Sequence, residues 1–171
     1  MLALCLVLCA AVAGPVPDGP PPSWSGNGDA VAYVRVVSGL HELISANPDS
    51  EGRITLARTA GRIVSAAYSP DGRSVAYILE DEGGLQVHVA AVNGSGDRIV
   101  LRSPADLDEP AAASVCWSPA GGLLAAGGMQ VGQTVAVVVV VNDGSIQRTI
   151  SRPTERACLP AWSPDGSRIA Y

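Results

Sequence analysis

Beyond residue 24 the chain alternates apolar and polar side chains with a period near two, in short runs separated by clusters of Gly, Pro, Asp, Asn and Ser. Successive strand residues point to opposite faces, so this pattern predicts β-strands joined by tight turns. Residues 62–102 give the clearest reading. A strand over 62–69 runs into Ser69-Pro70-Asp71-Gly72. There Pro70 presets φ for a turn, Asp71 can bond back to the local backbone, and Gly72 accepts a positive φ. The chain then reverses into a second strand over 74–79, which Gly83 and Gly84 break. A third strand covers 85–92, and Asn93-Gly-Ser-Gly-Asp97 turns into a fourth over 98–102. Four such segments in succession predict one antiparallel sheet.

Residues 113–150 follow the same order, with strands over 113–118, 123–126, 134–141 and 145–150, the last after the turn Asn142-Asp-Gly144. The run Val135-Ala-Val-Val-Val-Val-Val141 shows no polar alternation. That is expected of a strand covered on both faces, and the same run left bare would be an aggregation hazard. In the segment from Trp24, strands over 30–37 and near 54–58 flank an irregular middle. Leu40-His-Glu-Leu-Ile44 is the one helix-like stretch, very short, and Asn47-Pro-Asp-Ser-Glu-Gly52 reads as a surface loop. The final segment holds only two strands, over 157–163 and 167–171.

One phrase punctuates all four segments. Trp162-Ser-Pro-Asp-Gly-Ser-Arg-Ile-Ala-Tyr171 is nearly repeated as Tyr68-Ser-Pro-Asp-Gly-Arg-Ser-Val-Ala-Tyr77. It decays to Trp117-Ser-Pro-Ala-Gly-Gly-Leu-Leu-Ala-Ala126 and loosens to Trp24-Ser-Gly-Asn-Gly-Asp-Ala-Val-Ala-Tyr33. The leading aromatics stand at 24, 68, 117 and 162, at intervals of 44, 49 and 45 residues. A period of that size marks a propeller or solenoid, in which one supersecondary unit is stacked many times. The expected fold is all-β: a partial β-propeller of about three four-stranded antiparallel blades plus the first hairpin of a fourth, the blades beginning near 24, 68, 117 and 162.

The phrase resembles the Pro-Asp variant of the WD-like repeat found in the TolB-like β-propeller family and in propellers attached to prolyl-oligopeptidase-type serine peptidases. The resemblance covers about residues 23–171, with two strong copies and two weak ones. It implies a closed ring with more blades than this chain supplies, and no particular activity, since propellers host many functions. An open array leaves apolar blade faces and a strand edge uncovered, which invites self-association. Because Tyr171 falls in mid-blade, a fragment of a larger propeller is expected, with a truncated reading frame or a protomer that completes its ring with other copies as the alternatives.

Composition adds boundaries. With 171 residues and 47% apolar side chains, the chain has the material for about one ordinary domain and a buried core. A net charge of −5, with eleven Arg and no Lys, argues against a nucleic-acid surface or a polybasic membrane patch. Residues 2–13 form an apolar run of twelve, well short of the ~20 that a membrane-spanning helix requires. Residues 1–13 instead read as a signal-peptide-like segment, with Ala11-Val12-Ala13 as the cleavage site, although no Lys or Arg precedes the run. Leu6-Val7-Leu8-Cys9 is similar to a lipoprotein lipobox, but Leu8 stands where such boxes carry a small residue. A periplasmic or secreted location is expected first, lipidation second. Residues 14–23, with Pro15, Pro17 and Pro20 to Pro22, are expected to form an extended linker ahead of repeats over 24–171.

Several side chains invite chemistry. Asp71 and Asp165 could pair as carboxylates, but their recurrence at one turn position reads as turn formation. Trp24, Tyr68, Trp117 and Trp162 could line a ligand site, and their repetition favours packing between blades. His41 and His88 have no metal-ligand spacing near them. His88 shares a strand face with Gln86, opposite Leu85, Val87 and Val89, and lacks the partner a general base requires. Asn93-Gly-Ser-Gly-Asp97 and Asn142-Asp-Gly-Ser145 offer oxygen atoms that could hold calcium, although hairpin turns use the same residues. Asn93-Gly-Ser95 is also a glycosylation sequon. Beyond the signal-like segment the cysteines are Cys116 and Cys158. Their offsets from Trp117 and Trp162 differ by three residues, which points the thiols to opposite faces and favours two free thiols over a disulfide.

No Gly-x-Ser-x-Gly elbow occurs, so a hydrolase nucleophile of that type has no counterpart. The expected function is a non-catalytic extracytoplasmic module that binds a protein or small-molecule ligand through blade-connecting loops, with no catalytic, cofactor or metal residues assigned. The alternative is the propeller domain of a prolyl-oligopeptidase-type serine peptidase whose catalytic domain is absent from this chain.

Overall fold

The repeated turns divide the chain into four antiparallel sheets, seen in a computed structural model that describes residues 19–49, 52–104, 112–132, 134–141, 143–145, 147–152 and 157–171. The signal-like segment, the lipobox-like cysteine and the first half of the linker, 14–18, lie outside the described residues. The first sheet contains β1 (Ser23–Trp24), β2 (Val31–Val37), β3 (Leu40–Ala46) and β4 (Ile54–Thr59). The second contains β5 (Arg62–Tyr68), β6 (Ser74–Asp81), β7 (Gly84–Ala91) and β8 (Arg98–Ser103). The third contains β9 (Ser114–Trp117), β10 (Leu123–Val131), β11 (Thr134–Val141) and β12 (Gln147–Thr149). The hairpin β13 (Ala161–Trp162) and β14 (Ile169–Ala170) completes the described strands. Within every sheet the strands stand in chain order, so each is a simple meander.

The second and third sheets match the sequence reading closely. The first corrects it. Leu40–Ala46 is neither irregular nor helical but a strand paired with β2 from Val37↔Leu40 to Val31↔Ala46. Ser38 and Gly39, both at positive φ (52° and 78°), close a two-residue hairpin of the kind whose twist suits the flanking strands. A helical pattern of five residues cannot offset the cost of helix nucleation when a ladder is on offer. Ser23, counted with the linker, already pairs with Ala32. In the third sheet β10 extends beyond the expected Ala126 to Val131 through an irregularity between Ala126 and Met129, where Gly127 and Gly128 stand. The last hairpin is shorter than expected, because 157–160 and 167–168 lie outside strands.

The core consists of seams between sheets. Leu43 and Leu56 of the first sheet meet Ile63, Tyr68, Val75 and Tyr77 of the second. On its other face the second sheet sends Ile78, Val87 and Val89 against Val115, Trp117, Leu124 and Met129 of the third. The apolar strand β11 is explained by this layering. Its Val138 and Val140 enter the seam with the second sheet, whereas Val137 and Val139 enter the opposite seam with Ala157 and Trp162. The first strands β1, β5, β9 and β13 lie beside one another. The Tyr68 amide donates to Ser23 Oγ at 3.0 Å, the Val115 amide to Ser65 Oγ at 3.1 Å, and Cys116 Sγ to the Pro160 carbonyl at 3.0 Å. The result is an open, partial propeller with its first strands innermost.

Candidate functional site

Each repeated phrase closes the hairpin between the first and second strands of a sheet, which places four turns at one end of the blades. In the second blade Ser69 Oγ donates to Asp71 Oδ1 at 2.6 Å, the Arg73 amide donates to the same oxygen at 3.1 Å, and the Ser74 amide returns to Ser69 Oγ at 3.0 Å. The fourth turn repeats this with Ser163, Asp165, Ser167 and Arg168. In the first turn Asn27 takes the place of Asp, accepting from Ser25 Oγ at 2.8 Å and from the Asp29 amide at 3.3 Å. These bonds hold the Asp71 carboxyl below its ordinary value, the Ser69 hydroxyl contributing most and the Arg73 amide next. Asp165 is lowered to about 2, first by the Ser163 hydroxyl and then by the Ser167 amide and hydroxyl. Both carboxylates are thus turn-formers, in separate turns, and the structure does not bring them together as a pair.

The third turn differs. Ala120 stands where the others carry Asp or Asn, so Ser118 Oγ donates instead to the Gly121 carbonyl at 2.7 Å, and the Leu123 amide to the same carbonyl at 2.9 Å. Between this turn and the second lies a cleft of about 390 Å³. A second cleft, of about 310 Å³, lies between β8, β10 and β12, with Arg102 and Arg148 among its walls.

The repeated aromatics separate by position. Tyr68 and Trp117 are buried in the seams, with 7% and 8% of their surface exposed, whereas Trp24, on the first sheet, is 48% exposed. Trp117 Nε1 donates to the Ala67 carbonyl at 3.0 Å, and Tyr68 Oη pairs with Ser45 Oγ at 2.5 Å. The Trp162 indole N–H is buried without a partner among the described residues.

His88 has the partners that the sequence reading could not name. Its ring stacks on Tyr77, with centroids 4.7 Å apart and planes 21° apart. Its Nδ1 lies 3.2 Å from both Asp97 Oδ1 and Tyr77 Oη, and Tyr77 Oη donates to Asp97 Oδ2 at 2.9 Å. Burial would raise the Asp97 carboxyl, but the hydrogen bonds from His88 and Tyr77 and the His88 charge hold it below its ordinary value. Burial first, then the Asp97 charge and hydrogen bond, push the Tyr77 phenol far up. His88 Nε2 is enclosed and has no partner among the described residues. The signal for this cluster was available: the turn at 82–83 sets Tyr77 opposite His88. The counterpart pairs are Tyr33 with Ile44 in the first sheet and Ala126 with Val138 in the third, so only the second blade has both polar members.

The remaining candidates have structural partners. His41 Nδ1 accepts from the Ile63 amide at 3.4 Å across the first seam. Asn93 Oδ1 accepts from the Ser95 amide and hydroxyl at 3.0 and 2.7 Å, and Asp97 turns inward to His88, so the oxygens of that loop do not converge. Asp143 Oδ1 accepts from the Ser145 amide at 2.8 Å, and Asn142 lies outside the described residues. Cys116 and Cys158 are free thiols, and burial pushes Cys116 up to about 11. The buried carboxylate Glu42 lies 2.7 Å from Arg35 and 3.3 Å from Arg58.

A family model described as the TolB beta propeller domain matches residues 20–171. No curated protein sequence matches the chain. Among solved structures it resembles TolB from Acinetobacter baumannii, with a TM-score of 0.68 at 19% identity over 88% of this chain and 36% of that one. It also resembles a putative TolB from Agrobacterium tumefaciens, with a TM-score of 0.62 at 23% identity over 85% of this chain and 56% of that one. A chain of a nidogen/laminin complex gives a TM-score of 0.64 at 14% identity, over 88% of this chain and 54% of that one. At these identities the structures speak for the fold alone. The chain spans little more than half, or less, of each of these structures.

Proposed function

Because the chain belongs to the TolB β-propeller family, we propose that it is a non-catalytic, extracytoplasmic propeller module that binds a protein or small-molecule ligand through the turns and loops of its blades. The supporting observation is the row of turns. Three of the four are held by the same Ser and Asp or Asn bonds, yet the residues presented around them differ from blade to blade. Rigid strands that present variable connections are the usual setting of a binding surface. The non-catalytic part rests on His88, whose Nδ1 is taken by Tyr77 and Asp97 and whose Nε2 is enclosed. A general base has to reach the proton that it removes.

Trp24 is exposed where its counterparts Tyr68 and Trp117 are covered by the preceding sheet, and the solved relatives are longer than this chain. We therefore read the open face of the first sheet as the seat of a further blade, from the rest of a longer propeller or from a second copy. Reading the coding sequence beyond Tyr171 tests the module. Further blades support it, and an α/β-hydrolase domain with a Gly-x-Ser-x-Gly elbow overturns it in favour of a peptidase propeller. Mass measurement of the exported product tests the location: loss of residues 1–13 is expected, and an intact Met1 counts against it.

A further inference from the structure

Three turn-to-turn junctions can be compared within this one chain. Between the first and second turns the approach is close: a Cβ at Gly26 would lie 2.7 Å from the Pro70 carbonyl oxygen, and one at Gly72 would lie 3.9 Å from Ser25 Cβ. Between the third and fourth, a Cβ at Gly166 would lie 3.6 Å from Pro119 Cδ. Between the second and third the turns stand apart. A Cβ at Gly121, the equivalent of Gly72 and Gly166, would meet nothing within 4 Å, and neither would one at Gly122.

The third turn has lost bulk at this junction, with Ala120 and Gly122 where the second has Asp71 and Arg73. The cleft that results is walled by Ser69, Pro70, Asp71, Trp117, Pro119 and Gly121 among others.

Its chemistry is lopsided. Asp71 is the one charged side chain among the described residues that line it. Ser69 and the Arg73 amide engage Oδ1, and no described residue donates to Oδ2. The same bonds keep the carboxyl ionised at neutral pH. Arg73 is exposed and does not line the cleft; its charge helps to lower Asp71, but no close ion pair forms between the two among the described residues. Asp71 shares the cleft with Pro70, its neighbour in the second turn, with Pro119 of the third, and with the rim of the largely buried Trp117 indole, whose N–H is fixed on Ala67. A carboxylate beside an aromatic ring and proline hydrocarbon suits a cation on a short apolar stem, by charge pairing and cation–π attraction together.

We propose that the cleft between the second and third turns binds an ammonium or guanidinium group, with Asp71 as its counter-ion and Trp117 and the prolines as its apolar walls. The inference deepens the reading of the chain as a binding module by giving one place and one charge to the ligand. The two can fail separately, since the module is tested by the downstream sequence and the cleft by titration.

The test is an amide and indole NMR titration of the full chain with n-butylammonium, with butyrate as the opposite charge and N-acetyl-arginine amide as the peptide-borne cation. Saturable shifts at Gly121, Gly122, Ser74 and the Trp117 indole N–H are expected with the cations and not with butyrate. Asp71→Asn should weaken binding by about three- to fivefold, the upper part of the range for one solvent-screened ion pair. The fold should persist, because Asn27 already holds the first turn with equivalent bonds. Asp165→Asn, which alters the equivalent carboxylate of the fourth turn, should leave binding within about twofold of the unaltered chain. Arginine amide binding several-fold tighter than butylammonium assigns the site to a protein side chain, and equal binding assigns it to free amines. Shifts with butyrate instead, no shifts at these residues, or equal losses in both variants would overturn the proposal.

Discussion

The seam between the first and second sheets sets a polar cluster beside its hydrocarbon, whereas the seam between the second and third is a larger body of hydrocarbon crossed by a few hydrogen bonds. Both are built from the same repeat and share one sheet, β5 to β8. In the first seam Tyr68 meets Ser45, His41 receives an amide, and Tyr77, His88 and Asp97 form a closed cluster. In the second, Val87, Val89, Leu124, Met129 and Val138 pack face to face, and its few cross-links run from Trp117, Val115 and Gln130 to Ala67, Ser65 and Ser103. A buried hydrogen bond contributes about 1 kcal/mol net, whereas a fully buried large aliphatic side chain contributes about 1.5–3. The second seam buries the larger set of apolar side chains and so carries the greater share of stability. The polar seam is the more demanding in geometry, since a lost partner can leave a buried group unsatisfied.

The largest expected effect comes from cutting the hydrocarbon seam. Leu124 is fully buried, and Leu124→Ala should cost about 3 kcal/mol as lost transfer energy plus an unfilled cavity. The urea midpoint should fall with the slope unchanged. A loss below about 1 kcal/mol would mean that the second and third sheets do not pack as described.

In the polar seam, Asp97→Ala removes the acceptor of Tyr77 Oη and the partner of His88 Nδ1. A loss of about 1 kcal/mol is expected, because Tyr77 Oη and His88 Nδ1, 3.2 Å apart, can still pair with each other once the carboxylate is gone. Adding Tyr77→Phe should then cost less than it does alone, with a coupling of at least about 0.5 kcal/mol in the double-mutant cycle. Additive losses would show that the cluster does not act as a unit.

The same cluster gives the first seam a pH dependence. The folded Asp97 carboxyl lies below its ordinary value of 3.8. Its contribution is thus fully present above that value and fades as pH falls through it toward the folded value. Acid titration of the urea midpoint should show the gap between the unaltered chain and Asp97→Asn narrowing below pH 4 or so. A gap that is constant down to pH 2 or so would remove the carboxylate from the account.

The sequence made the repeat legible because turn chemistry and strand period agree within it. Ser69-Pro70-Asp71-Gly72 and Ser163-Pro164-Asp165-Gly166 form the turns expected of them, and β5 to β8 end within about two residues of their predicted bounds. What escaped lies at positions that do not repeat. Leu40–Ala46 was obscured because its pattern is short and its partner strand, not its own periodicity, decides its state. His88 was read on a half-polar face with Gln86, but at His88 that face is buried, with Tyr77 and Asp97 against the ring. The cleft beside Asp71 depends on what is missing at Ala120 and Gly122, which only a turn-by-turn comparison of positions in space reveals.

The turns also offer a way to make one seam more like the other. Gly26→Ala would bring a Cβ to 2.7 Å from the Pro70 carbonyl oxygen, closer than such contacts are found, and neither partner is the end of a flexible side chain. The first turn should move away from the second at a cost of about 1 kcal/mol, with faster amide exchange at Gly28 and Gly72, whose amides close their turns.

The smallest effect expected runs the other way. Ala120→Asp gives the third turn the carboxylate that its siblings use to hold a Ser hydroxyl and a following amide. One solvent-exposed turn bond contributes at the low end of the hydrogen-bond range, so a gain of about 0.5 kcal/mol is expected. The gain is limited from two sides. Gly121 and Gly122 both stand at positive φ (71° and 73°), whereas in the second turn only Gly72 does, so the backbone at 122 has to rotate before its amide can reach the new carboxylate. The new charge also faces Asp71 across the cleft. Slower exchange of the Gly122 amide, with the urea midpoint raised slightly, would show that the decayed copy kept the fold of the repeat and lost only its bond. A lowered midpoint would show instead that the third turn has settled into a different conformation, in which the gap beside Asp71 is built in rather than left over.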